Sequence, residues 1–263
     1  MKIARVLLSS ISFAAAAAAS AAEPPSSAVL RDLAPTGKLR FTFIASNPVQ
    51  VVKEANGELR GPAIDLGREL ARRLGVPFEP LGQPRAADIV ASAKSGSWEL
   101  AFLAFDPERA DVLDFSRPYL EAHNEYLAPA GSRVASFAEA DRAGVRIGVG
   151  QRDAVDFHLT RTLKHAELVR NPGGTSGALE LIRSGKVDLY AANRQRLDEM
   201  LGQLPGARLL DGSVLAVQQA IALPKGRAAG LAFVEAFVAD AKASGLVAQS
   251  IARSGLRGVN VTP

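Results

Sequence analysis

The chain has 263 residues, 48% of them hydrophobic and 22% charged, no cysteine, and a formal net charge of +4. That is enough chain to bury the core of one large domain or two modest ones, and the composition excludes wholesale disorder. Without cysteine there is no disulfide, thiolate metal site, thiol nucleophile or lipid-bearing N-terminal Cys. His123, His158 and His165 leave little for a metal site, and dispersed basic residues with one Trp and three Tyr argue against nucleic-acid binding.

Residues 1–22 read as a secretory signal: Lys2 and Arg5, an apolar stretch from Val6 to Ala19, then Ser20-Ala21-Ala22, with cleavage expected after Ala21 or Ala22. The run is short and alanine-rich for a membrane span, although an uncleaved anchor helix is the other reading. Losing Lys2 and Arg5 leaves a net charge of +2. An exported chain with no site for a lipid is expected in a periplasm.

Short apolar runs then alternate with helical patterns, as in α/β proteins. Leu39–Ala45 predicts a strand. Ala63, Leu66, Leu70 and Leu74 repeat at helical spacing behind Gly61-Pro62; Pro62 suits the first helical position, Gly75 the C-terminal cap, and Pro77 forbids continuation. A helix is expected over Arg85–Ser95, ended by Gly96, then a strand over Leu100–Phe105. Val145–Val149 predicts a strand, Ala154–Leu163 a helix, Thr175 to Gly185 another, and Val187–Ala191 a strand. Arg194–Leu201 and Arg227–Lys242 predict helices, the second presenting Leu231, Val234, Phe237 or Val238, and Ala241 on one face and stopped by Gly245. Ser95-Gly96-Ser97-Trp98-Glu99-Leu100 and Ser184-Gly185-Lys186-Val187-Asp188-Leu189 share one form, each closing a helix and opening a strand. Any tight helix-to-strand turn favours Gly, but with the alternation the match favours two similar α/β lobes.

Four segments carry a resemblance. They are Gly57–Gly61 with Ile64-Asp65-Leu66 and Glu69–Val76; Pro107-Glu108-Arg109-Ala110 with Val112–Ser116 and Pro118-Tyr119; Val145–Val149; and Ser184–Asp188. Together they resemble the periplasmic solute-binding proteins of amino-acid ABC importers, family 3, over roughly residues 36–255. The second segment is fairly specific; the other three are common patterns. The resemblance implies a two-lobe α/β clamshell with a discontinuous first lobe (33–126 plus 221–263), a second lobe (128–220) and two hinge strands. The implied function is a monomeric receptor, not an enzyme, that captures a small carboxylate-bearing solute, an amino acid or derivative, by lobe closure. It would deliver the solute to an inner-membrane ABC permease, with no cofactor or metal. Delivery to a sensor protein is a further reading. So is an enzyme on the same fold, such as a cyclohexadienyl dehydratase-like lyase or a cell-wall lytic module; it would need a carboxylic acid in the cleft as general acid.

For the site, the resemblance makes Arg109 the carboxylate clamp, a role that a planar guanidinium fills through two parallel hydrogen bonds; an ion pair with Asp106, Glu108 or Asp111 is the structural alternative. The family's hydroxyls before this Arg are missing from Phe102–Asp106, which leaves backbone groups of Ala104 and Phe105 and a Phe wall. The turn Gly150–Ala154 offers Arg152 as a second anion contact and Asp153 as helix cap or cleft acid. Asn193 stands where the family places the acid that receives the ligand ammonium, and it also suits a helix cap. Asn47 is a polar contact or a turn residue. One of Gln218 and Gln219, on the second hinge strand, points inward by alternation. Asn171–Ser176 reads as a turn and cap, lacking the Glu of the dehydratases, where Gly177 stands.

Overall fold

In a computed structural model the described residues are 24–151, 153–172 and 174–263, so the signal segment and Arg152 lie outside them. The first part runs α1 (Ser27–Leu33), β1 (Leu39–Ile44), the hairpin strands β2 (Val52–Lys53) and β3 (Leu59–Arg60), α2 (Pro62–Leu74), β4 (Phe78–Gln83), α3 (Ala86–Ala91), β5 (Leu100–Ala104), α4 (Pro107–Ala110), β6 (Leu113–Phe115) and β7 (Leu120–Ala128). The second part runs β8 (Arg146–Gly150), α5 (Ala154–Thr162), β9 (Glu167–Asn171), α6 (Gly174–Arg183), β10 (Leu189–Asn193), α7 (Arg194–Leu201) and β11 (Arg208–Leu209). The chain returns through β12 (Leu215–Pro224) and ends with α8 (Ala228–Ala243), α9 (Leu246–Arg253) and β13 (Val259–Val261).

Local chemistry explains most boundaries. Pro62 opens α2 and Gly75 closes it in the left-handed conformation, while Ala63, Leu66, Leu70 and Leu74 are buried at helical spacing. Gly61 has a φ of 124° and packs so tightly that a Cβ would lie 2.6 Å from the Gln50 carbonyl oxygen, so only glycine docks the start of α2 on that loop. Two expectations need correction. The helix expected over Arg85–Ser95 stops at Ala91, because the Ser92 hydroxyl donates to the carbonyls of Asp88 and Ile89 and accepts from Trp98 Nε1 at 3.0 Å. The strand expected over Val187–Ala191 spans Leu189–Asn193 instead, because Asp188 is engaged by Arg146 just before the ladder begins.

The main sheet follows the hydrogen-bonded order β4-β1-β5-β12-β7-β10-β8-β9, with β6, β11 and β13 attached to β12 or β7. β1 is parallel to β4 and β5, and β5 borders β12 antiparallel. β8 is parallel to β9 and β10, and β10 borders β7 antiparallel. The same parallel unit is therefore built twice, and the antiparallel pair β7–β12 joins the two copies.

The buried apolar residues divide accordingly. Phe41, Phe43, Leu66, Leu70, Phe102, Phe237 and Val238 pack in the first lobe, with Trp98, Ile89 and Leu103 on the other face of its sheet. Ile147, Val149, Leu159 and Ala191 pack in the second lobe, opposite Leu179, Tyr190, Leu197 and Met200. β7 gives Leu120 and Ala122 to the first lobe and Tyr126, Leu127 and Ala128 to the second. The fold is a two-lobe mixed α/β clamshell whose first lobe is discontinuous, since β12, α8, α9 and β13 complete it.

The sequence match at the two Ser-Gly turns has a physical basis beyond the glycine. Arg40 on β1 donates its backbone N–H and guanidinium to Glu99, and Glu99 N–H donates to Arg40 O at 2.9 Å. Arg146 on β8 does the same with Asp188, whose N–H donates to Arg146 O at 2.8 Å. Each clasp locks the start of the middle parallel strand to the residue before its neighbour.

Candidate functional site

The sheet register places a gap between the lobes. β5 ends with Ala104 opposite Gln219, which lies opposite Leu120. β10 ends with Asn193 opposite Asn124, which lies opposite Leu215. β5 and β10 run in opposite senses, so their carboxyl ends face each other along β7 and β12 four residues apart, about 13 Å at the usual rise per strand residue. Ligands of open α/β sheets bind in such crevices outside the carboxyl ends of the strands.

Arg109, in α4, folds back so that Nη1 donates to Ala104 O at 2.9 Å, which puts the half-buried guanidinium at the end of β5. Burial draws its pKa below the ordinary arginine value, with Asp106 and Glu108 acting in the opposite direction. No carboxylate among the described residues lies within 4.0 Å of it. Asp106 is occupied: its Oδ1 accepts the N–H groups of Glu108 at 2.9 Å and Arg109 at 3.3 Å. The structural alternative for Arg109, an ion pair with its neighbours, is thus not formed. Phe105, 45% exposed, follows at once and meets Phe115 edge-on.

On the other side, Asp153 stands at the N-cap position of α5 without capping it; its Oδ2 instead takes Arg196 Nη1 at 2.8 Å. Gly150 permits this, because a Cβ there would collide with the Asp153 carboxylate. Asn193 does cap α7, its Oδ1 accepting Arg196 N–H at 2.9 Å. Asn47 plays the turn role, its Oδ1 accepting Val49 N–H at 3.1 Å. Between the two inward candidates the register decides: Gln219 is buried and Gln218 is exposed. Gln219 Oε1 accepts from Gln50 Nε2 at 2.9 Å, and Gln50 Oε1 accepts Ile44 N–H at 3.1 Å, which ties the end of β1 to β12.

Sequence reasoning missed Arg196, Gln50 and Asn124. Arg196 reads as one of several surface charges on a polar helix, and nothing in the chain advertises its partner 43 residues away. Gln50 had a signal, a lone amide flanked by Val49 and Val51. Asn124, buried on β7 with Nδ2 donating to Leu215 O at 3.3 Å, breaks the apolar alternation of Leu120, Ala122 and Tyr126. Two surface hollows, of about 410 and 370 Å³, lie elsewhere on the second lobe and include none of these residues. Among the described residues no three potential metal ligands cluster, and no helix is long and apolar enough to cross a membrane.

Solved structures share this fold. A binding component of an ABC transporter from Wolinella succinogenes complexed with lysine superposes with a TM-score of 0.70 at 19% identity, over 83% of this chain and 95% of that one. A mutant of ArgBP from T. maritima gives 0.67 at 20% identity, over 86% and 99%. The ancestral amino-acid-binding protein AncCDT-1, a precursor of cyclohexadienyl dehydratase, gives 0.67 at 21% identity, over 85% and 97%. The family model for bacterial extracellular solute-binding proteins, family 3, matches residues 39–254. The chain belongs to that family.

Proposed function

We propose that the protein is an exported receptor that captures a small carboxylate-bearing solute by closing its lobes, residues 33–126 with 221–263 against 128–220, and presents it to an ABC permease of the inner membrane. The observation that carries this reading is Arg109, a half-buried guanidinium at the strand ends that face the gap, with no carboxylate of its own among the described residues. Burying a cation without a counterion is costly, and an anion entering the gap removes that cost. The carbonyl of Ala104 is committed to Arg109, so it orients the clamp, while Phe105 offers an apolar wall. The two ends of β7 belong to different cores and β12 runs beside it, which leaves the short span between the cores free to bend. The amino-acid ligands of similar proteins, lysine among them, fit the same class of guest. A binding role rather than catalysis is supported by Asp153, the acid an enzymatic reading would use, being held by Arg196.

The test is a thermal-shift screen of the purified chain against amino acids, small dicarboxylates and amines, where a ligand at a hundred times its Kd stabilises by ~2.7 kcal/mol. Arg109→Ala should then cost ~3–5 kcal/mol of binding, about two to four decades of affinity. A loss under twofold means that Arg109 is not the clamp. Turnover of prephenate or arogenate would replace the receptor with an enzyme.

A further inference from the structure

We infer that Asp153 receives the ammonium group of an α-amino acid whose carboxylate lies on Arg109, so that the guest joins the two lobes through its two charges. This rests on the receptor reading above and names the residue of the second lobe that sets the class of solute. A ligand closes two lobes only by binding the closed state better, which requires contacts to both of them. Arg109, at the end of β5, gives the first lobe its cation. The second lobe meets the gap with the carboxyl ends of β8 and β10, which run parallel and are paired from Ile147 with Leu189 to Val149 with Ala191. Gly150 ends β8 and Asn193 ends β10.

The Asp153 carboxylate lies over the end of β8. A Cβ on Gly150 would come within 2.1 Å of Asp153 Oδ2, so the carboxylate fills the space where a side chain would stand. The Asp153 side chain is 42% exposed and does not cap α5; Oδ2 accepts from Arg196 Nη1 at 2.8 Å, and Oδ1 has no partner among the described residues. A carboxylate offers about four lone-pair sites, so an ammonium on Oδ1 adds to the Arg196 bond without displacing it. The other acceptors here are weaker or occupied. Asn193 Oδ1 takes Arg196 N–H and Asn124 is a buried amide, so neither brings a charge. Glu125 and Asp198 pair with Arg194. In the first lobe Asp106 Oδ1 takes two N–H groups of α4 and leaves Oδ2 open, but an ammonium held there would put both charges of the guest on one lobe. Opposite charges on opposite lobes match a zwitterion, and a solute with a carboxylate alone satisfies only the first lobe.

The experiment is calorimetric titration of the purified chain with L-glutamine, L-glutamate, L-lysine and L-phenylalanine, each beside the counterpart that lacks the α-amino group: glutaramate, glutarate, 6-aminohexanoate and 3-phenylpropionate. The amino acid that binds best should exceed its counterpart about tenfold or more. Asp153→Asn keeps the shape of the side chain and an oxygen for Arg196, so the melting temperature of the ligand-free protein should change little. In that variant the amino acid should weaken about tenfold or more while its counterpart is unchanged. A preference for the amino acid that survives Asp153→Asn places the ammonium on another group, and an equal loss for both members of the pair shows a structural effect; either result overturns the inference and leaves the receptor standing. A counterpart that binds as well as its amino acid does the same. If none of these compounds binds, the inference falls, and the receptor reading falls with it only when the wider screen is empty too.

Discussion

Two buried polar side chains show how differently one residue can count. Gln50 satisfies Ile44 N–H with one end of its amide and Gln219 with the other, inside a wholly buried environment. Gln50→Leu would strand a backbone donor and an amide oxygen, at about 1–3 kcal/mol for each group left without a partner. Tyr119 is the opposite case. Its ring packs edge-on against Phe102, but its buried hydroxyl finds no hydrogen-bond partner among the described residues, and burial holds its pKa above the ordinary tyrosine value. Tyr119→Phe should therefore be neutral or stabilise by about 1 kcal/mol, because a desolvated hydroxyl is removed with no bond lost. Denaturant melts of the two variants check both, and a destabilised Tyr119→Phe would show that the hydroxyl has a partner. The pair also marks what sequence can convey. Alternation says that one of Gln218 and Gln219 turns inward, but choosing between them requires the register against Ala104 and Leu120.

The elements carry a repeated device whose two copies differ in burial. Glu99 is fully buried against Arg40, whereas Asp188 and Arg146 are 14% and 38% exposed at the side chain. Removing one partner of a buried pair leaves the other uncompensated, so Glu99→Ala should cost about 3–5 kcal/mol. Asp188→Ala should cost about 1–2 kcal/mol, since water can take over part of what Arg146 loses. The Arg146 guanidinium, chiefly by hydrogen bonding, holds the Asp188 carboxyl below its ordinary pKa. A depressed carboxyl stabilises the fold above its unfolded pKa and loses that contribution as pH falls through the folded value. Asp188→Ala should thus be destabilised at pH 7 and should converge with the parent below about pH 4. A gap that persists undiminished at pH 2 would assign the effect to packing instead. These clasps were legible in the sequence as form, the acid and Leu after each Ser-Gly turn, but not as mechanism, because Arg40 and Arg146 lie far from them in the chain. The shortened α3 was not legible at all: Ser92 breaks the helix through hydroxyl bonds that depend on where Trp98 comes to rest.

At the scale of the whole molecule, the lobes are tied by more than β7 and β12. After α9 the chain runs through Leu256–Gly258 past the start of α7, where Arg257 meets Asp198 at 3.0 Å and Arg257 O accepts from Gln195 Nε2 at 2.7 Å. It then forms β13 along Leu120–Ala122 of β7, with His123 N–H donating to Gly258 O at 2.8 Å. Thr262 Oγ1 donates to Pro118 O and accepts from Lys242 Nζ, fastening the strand to the first lobe. The last residues therefore cover the edge of the connecting strand β7 at its first-lobe end, and they also touch α7 of the second lobe. Truncation after Gly255 should expose that edge and the buried Val259, at a cost of about 2–3 kcal/mol from the lost apolar burial. Local opening of β7 should then become easier than global unfolding. Amide hydrogen exchange is the measurement: His123 and its neighbours on β7 should exchange about tenfold faster or more, while Phe41 and Phe43 at the centre of the first core stay protected. If exchange at His123 is unchanged, β13 does not brace the connecting strand, and the bending between lobes must be governed by β7 and β12 alone.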